Sequence, residues 1–230
     1  MIDLNKYQRR VYSQSGEDGI LEKIFESLNI NEGWFCEFGA GDGNNISNTR
    51  IFREKGWSGV LIEGDTDRFN KMNKAKEIAS NKNIHLIKEY ISCEPGEKID
   101  DLLSNTPIPK DFDLVSIDID GNDLWIWKSM EKYRPKVVII EYNSHFPVTE
   151  SVTVKYDRNH RFEQDNYYGA NAGALIKLGK EKSYDLVGYT NGLNLIFVDS
   201  NLSSPFRKVN PSEIDLHIGW PPSQRKMVKY

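Results

Sequence analysis

"WFCEFGAGDGNN", residues 34–45, runs from a short apolar stretch straight into three glycines within five residues. The apolar part predicts a strand, and Gly39, Gly41 and Gly43 form the loop that leaves it. Glycine there permits positive φ angles and removes the side chains that keep a ligand off the backbone. The order is G-x-G-x-G, with Asn44 where a dinucleotide fold needs its third glycine, and an acid, Glu37, stands before the first.

Working outward, "NISNTRIFREKG" predicts a helix capped by Asn44 or Asn45 and stopped at Gly56. Upstream, "SGEDGILEKIFESLNI" spaces Ile20, Ile24, Phe25 and Leu28 as one helical face, with Ser15 as its cap. Downstream, the strand "GVLIEGD" is followed by the helix "DRFNKMNKAKEIAS", the strand "NIHLIKEYIS" and the short helix "EKIDDLLSN". "FDLVSIDID", "NDLWIWKSMEKY" and "KVVIIEYN" repeat the alternation as strand, helix and strand. Continuous apolar strands between amphipathic helices predict a parallel sheet covered on both faces. After a helix in "AGALIKLGKEKS", the strands "YDLVGYT" and "LNLIFVDS" are joined only by "NGL", a hairpin link. Five parallel strands and a terminal antiparallel hairpin are the architecture of the Rossmann-like class I methyltransferases. The expected fold is therefore α/β, with a seven-stranded sheet.

Composition narrows the class. The 230 residues suit one domain with a sizeable core, and 38% hydrophobic with 28% charged residues describes a polar-surfaced globular chain. A net charge of -4 gives no overall attraction to nucleic acid. "MIDLNKYQRRVYSQ" lacks the apolar stretch of a secretory signal, and no apolar run approaches spanning length, so the expected location is cytoplasmic. Cys36 sits in an apolar segment, which favours a reduced, buried thiol.

In an open parallel sheet, ligands bind outside the carboxyl ends of the strands, where strand order reverses. Glu63 ends the second strand, where a carboxylate can accept both hydroxyls of a ribose. Glu37 and Glu63, in register with the strands, favour a nucleoside cofactor over an ordinary glycine loop.

"YSQSGEDGIL", "CEFGAGDGNNISNTR", "GWSGVLIEGD", "VSIDIDGNDLWIW" and "VVIIEYN" together resemble the FkbM-type methyltransferases. The resemblance spans most of residues 12–198, although "DIDGND" stands where that family has Asp-Val-Glu-Gly-x-Glu. It implies methyl transfer from S-adenosylmethionine, commonly to an oxygen of a sugar, glycan or natural product. It also implies cofactor-pocket positions at Glu37, Gly39, Gly41, Asp42, Glu63 and Asp118, with Ser92 near the adenine.

A sugar hydroxyl is a poor nucleophile, so a base or a metal is expected. Asp118 and Asp120 lie two apart, on one face if the strand persists, and Glu141, Asn143 and His145 follow the neighbouring strand. Asp118, Asp120, Glu141 and Asn143 suit magnesium or another hard divalent ion. The alternative is that these residues orient loops and substrate without metal. His145 is then a candidate base, beside Asp118 and Asp120.

The chain reads as one methyltransferase domain: an N-terminal helical cover (1–30), a cofactor-binding core (31–145), an insertion (146–172), a terminal helix and hairpin (173–200) and an irregular tail (201–230). The insertion is too long and polar for a simple connector, and is expected to form a substrate lid. Its Arg158, Arg161 and Tyr168 are candidate acceptor contacts, suited to an anionic sugar or glycan. A solvated loop is the plainer reading of each. Trp220 and Pro221-Pro222 in the tail are expected to pack on the domain or on a second subunit. Two other functions remain open at this point: an NAD-dependent oxidoreductase, and a catalytically silent binding protein of the same fold.

Overall fold

In the computed structural model, which describes residues 1–230, the strand before the glycines is β1, Trp34–Phe38. It is followed by β2 (Ser58–Ile62), β3 (Ile84–Ile87), β4 (Leu114–Ile117) and β5 (Val137–Glu141). A short β6 (Val152–Thr153) precedes β7 (Tyr184–Thr190) and β8 (Asn194–Asp199), and β9 (Val228–Lys229) comes last. Seven strands form one sheet in the order β3-β2-β1-β4-β5-β8-β7. β1 to β5 run parallel, and β8 lies antiparallel between β5 and β7, which is the predicted terminal hairpin. Strand order reverses between β1 and β4.

Both faces of the sheet are buried because its strands are apolar on both sides. Phe35 of β1 points into one core while Cys36 and Phe38 point into the other, as the two-residue period requires. Helices α1 (Glu17–Ser27), α2 (Arg50–Glu54), α3 (Thr66–Lys74) and α4 (Lys76–Ala79) cover the first. Helices α5 (Ile99–Leu103), α6 (Asp123–Ser129) and α7 (Ala172–Glu181) cover the second. Each fully buried Ile, Leu or Phe in these layers contributes about 1.5–3 kcal/mol relative to leaving it exposed. Both cysteines are free and Cys36 is buried, as its apolar setting suggested. No helix is long and apolar enough to cross a membrane.

Several local expectations give way to tertiary bonds. Gly16, not Ser15, is the residue before α1, and the Ser15 amide instead donates to the Glu17 carboxylate (2.8 Å). α2 starts at Arg50 rather than near Asn45, because residues 47–49 are held out of the helix by Glu37. Ala75 is extended and splits the second predicted helix into α3 and α4. Strand β3 ends at Ile87, short of its predicted length. The insertion and the tail are joined: β6 pairs antiparallel with β9, forming a second, two-stranded sheet. Trp125 Nε1 donates to the Val154 carbonyl (2.9 Å) and fastens this small sheet to α6.

Candidate functional site

Register brings the site together. Phe38 pairs with Ile62 and with Ile117, and Ile117 pairs with Ile140. The next residue in each strand is Gly39, Glu63, Asp118 or Glu141, so four adjacent carboxyl ends present one row. That row lines a cavity of about 650 Å³, within the range of small-ligand sites.

The three glycines have different physical reasons. A Cβ on Gly39 would lie 1.7 Å from the Asp118 carbonyl oxygen, so β1 and β4 meet closely only without it. Gly41 faces open space at φ +59°, and Gly43, at φ +72°, packs against Ile78 and Met72. Arg53, itself buried, donates to the Gly43 carbonyl (2.6 Å) and to Asn44 Oδ1 (2.7 Å), fixing the loop from behind.

Glu63 accepts from the amides of Gly41 (2.8 Å) and Asp65 (2.7 Å), and so ties the end of β2 to the glycine turn. Glu37 accepts from Ser47 Oγ (2.6 Å), Thr49 Oγ1 (2.7 Å) and the Asn48 amide (2.9 Å). Burial raises its pKa, and those three bonds partly offset the rise. Asp42 and Ser92 lie off the cavity wall. Asp42 turns back on the amides of Asn44 and Asn45, and Ser92 donates to Glu97 (2.7 Å). Tyr90 and Ile91 line the cavity where Ser92 was expected.

The acids do not meet by strand alternation, because β4 stops at Ile117. Asp120 instead takes a left-handed conformation, φ +54°, and turns back. As a result Asp118, Asp120 and Glu141 each bring one carboxylate oxygen within 4.8 Å of the others. Burial, then the neighbouring carboxylates, holds the pKa values of Asp118 and Glu141 well above the usual range. Asp120 is also raised by burial, against the pull of Arg68 and His160. Asp123, fully buried, was not anticipated from sequence as a brace. It accepts from the amides of Ile119 (2.9 Å) and Gly121 (2.8 Å), and burial pushes its pKa up to about 6. Two acceptor atoms on the cavity wall, Glu141 Oε2 and Asn48 Oδ1, are buried without a hydrogen-bond partner. Three hard oxygen donors at this separation also fit a divalent ion.

Two expected contributors are committed elsewhere. Asn143 is not a metal ligand: it is fully buried, and its amide donates to the carbonyls of Asn166 (2.9 Å) and Tyr168 (2.8 Å). Its Oδ1 accepts from the His145 amide (3.1 Å) and faces His145 Nδ1 (3.2 Å). His145 is not a free base in this conformation. Its Nε2 accepts from the amides of Gly219 (3.0 Å) and Trp220 (2.8 Å), so Nδ1 carries the proton and the lone pair is in use. His145 therefore straps the tail across the cavity mouth, where His217, Gly219 and Trp220 join the wall.

This strap makes a pH prediction. Burial lowers the His145 pKa below its ordinary 6.5, so the folded state prefers the neutral ring. A lowered base contributes stability that is present above pH 6.5 and is lost as pH falls through the folded value. The protection of the Gly219 and Trp220 amides, measured against their intrinsic exchange rates, should fall on acidification below about pH 6.5. His145→Ala should show the low protection at every pH. Equal protection in the variant and the wild type would remove the strap.

The insertion residues reach the same cavity. Tyr168, Phe162 and Trp220 pack edge-on in series, with ring centroids 5.7 and 5.2 Å apart, along its far side. Arg158 places its guanidinium fork on Glu97, holding that carboxylate down at about 2. Arg161 has no acidic partner within 4.0 Å and lies over the Tyr90 ring (4.4 Å).

No protein-family model matches the sequence, and no curated protein is similar to it in sequence. Among solved structures, the N-terminal domain of EvdMO1 with SAH bound is similar at 14% identity, over 81% of this chain and 80% of that one, with a TM-score of 0.50. Magnesium protoporphyrin IX methyltransferase (ChlM) from Synechocystis PCC 6803 with bound SAH shares 12% identity, over 79% and 80%, at a TM-score of 0.50. The CurJ carbon methyltransferase shares 9% identity, over 82% of this chain and 56% of that chain, at 0.50. The chain thus has the Rossmann-like fold of the class I methyltransferases.

Proposed function

We propose that the protein is an S-adenosylmethionine-dependent methyltransferase of the FkbM type, acting on a hydroxyl of a sugar, glycan or related small molecule. The observation that carries this reading is the row of Gly39, Glu63, Asp118 and Glu141 around one cavity. The site fits the cofactor. Gly41 leaves the backbone bare, Glu63 sits where ribose hydroxyls need an acceptor, and Asn48 Oδ1 and Glu141 Oε2 are acceptors awaiting donors. When bound, S-adenosylmethionine supplies the activated methyl group. The chain's part is to align the acceptor and manage its proton.

Glu37 keeps loop 47–49 in place, and Glu63 and Asp118 border the cofactor space. The aromatic side formed by Phe162, Tyr168 and Trp220 receives the apolar face of the acceptor, with Arg161 free to meet a negative group. Arg158 anchors the insertion. The carboxylates of Asp118, Asp120 and Glu141 take the hydroxyl proton, since their raised pKa values match that task. A divalent ion at the same three oxygens would lower the pKa of the hydroxyl instead. In this reading 146–172 and the tail form the lid of a single domain, and the enzyme works in the cytoplasm.

Calorimetry tests the cofactor. S-adenosylhomocysteine (SAH) should bind and NAD should not. Glu63→Ala should weaken SAH binding at least about 10- to 100-fold, the loss of one charge-assisted bond at about 1.5–3 kcal/mol. Binding of NAD with no response to SAH would end this reading. Turnover of a panel of sugars and nucleotide sugars, before and after chelation, separates carboxylate from metal-assisted proton removal. SAH binding with no turnover of any acceptor would favour the silent protein.

A further inference from the structure

The insertion carries a histidine, His160, that also reaches the cavity. His160 Nε2 stands 3.1 Å from the carbonyl oxygen of Asp120; a carbonyl only accepts, so Nε2 is the donor. The ring lies close against Gly121, where a Cβ would come within 2.3 Å of His160 Cδ2. Asp120 is the residue in the left-handed conformation that turns its carboxylate back toward Asp118 and Glu141. Asparagine and aspartate tolerate that conformation better than most residues, but it still needs support from its surroundings.

The support is two-sided. From below, Asp123 holds the amides of Ile119 and Gly121. From above, His160 holds the Asp120 carbonyl, and Asn122 Nδ2 donates to the Asp157 carbonyl (2.8 Å). His160 is itself fixed, its amide donating to the Asp157 carbonyl (2.9 Å) and its ring packing on Tyr167. It borders both the main cavity and a second opening lined by Lys155, Tyr156 and Arg225.

We infer that His160 is a positioning residue: through the Asp120 carbonyl it holds Asp120 in the turned-back conformation, so that a seated insertion completes the carboxylate group. This rests on the methyltransferase reading for its chemical meaning, though not for its geometry. Glycine at 121 is part of the device, since any side chain there would push the imidazole away.

The experiment compares His160→Ala and His160→Gln, the second keeping an amide donor. In the full chain without acceptor, exchange of the Ile119 and Gly121 amides should be at least tenfold faster in His160→Ala and near wild type in His160→Gln. SAH affinity should stay within about twofold. With whichever acceptor of the panel is turned over, His160→Ala should lower kcat at least tenfold with KM changed less than threefold, and His160→Gln should restore most of it. Unchanged exchange in His160→Ala would overturn the inference. So would a raised KM at constant kcat, which would make His160 an acceptor contact instead. Failure of the wild type to bind SAH would count against the methyltransferase reading alone, leaving the exchange result to decide for His160.

Discussion

Under the proposed methyltransferase reading, with Asp118 as general base, Asp118→Asn is expected to lower methyl transfer by a factor of about 10² to 10⁴, while making the metal-free protein more stable. Asp118 has no hydrogen-bonded or ionic partner of its own to lose, and it shares a small volume with Asp120 and Glu141. Removing one of three like charges relieves repulsion and desolvation together. The pH dependence follows in sign. Raised folded-state pKa values mean that the native state holds protons the unfolded chain would release. The stability from these acids is therefore full below the ordinary carboxylate range and is lost as pH rises through the folded values. The gain from Asp118→Asn should be absent near pH 4 and largest above neutrality. Each kcal/mol gained appears as about 2–4 °C in Tm for a chain of this size. Thermal melts of chelated protein across pH, beside an activity assay, measure both halves. A variant less stable than wild type at pH 8 would show that Asp118 makes a favourable native contact after all.

Gly39→Ala and Gly41→Ala should fail in different ways. At Gly39, φ is +73° and the new Cβ would sit 1.7 Å from the Asp118 carbonyl oxygen, which cannot move without parting β1 from β4. The expected cost is about 3 kcal/mol or more, in the class of strain plus overpacking, with SAH binding lost. At Gly41, φ is +59° but nothing lies within 4 Å. Here the fold should lose only about 1–2 kcal/mol of backbone strain, whereas SAH affinity should fall at least tenfold, because the methyl group enters the ligand's space. Denaturant melts and calorimetry on the pair decide it. Equal stability losses would mean that the two glycines do the same work.

The sheet was legible because its strands are apolar on both faces and its helices are short and amphipathic, so two periods alternate cleanly. The row of strand-end residues was legible for a related reason: in parallel strands, ends coincide, and Glu63, Asp118 and Glu141 each directly follow an isoleucine that ends an apolar run. What was not legible depends on contacts between distant segments. Asn143 and His145 have the right chemistry for a site, yet Asn166, Tyr168, Gly219 and Trp220 claim them. Loop 47–49 looks helical, and the bonds to Glu37 and Ser116 make it otherwise. Asp120 and His160 belong together through a backbone carbonyl, which leaves no trace in residue type. The glycine after Asp120 was the one available hint, since a tight approach by another group is what glycine permits.

The β6–β9 pair has a consequence for how such a chain can change over generations. The seven-stranded sheet and the small sheet share no ladder hydrogen bond; Trp125 and Asn122, on and just before α6, hold the insertion at Val154 and Asp157. Substitutions at exposed roof positions such as Arg161, Glu163 and Ile218 can therefore accumulate without disturbing the strands on which stability depends. Selection could retune what the protein accepts while the binding floor stays constant. Lineages sharing this floor are free to diverge in the ligand they take up, and the roof is the part to exchange when grafting a new preference onto the chain.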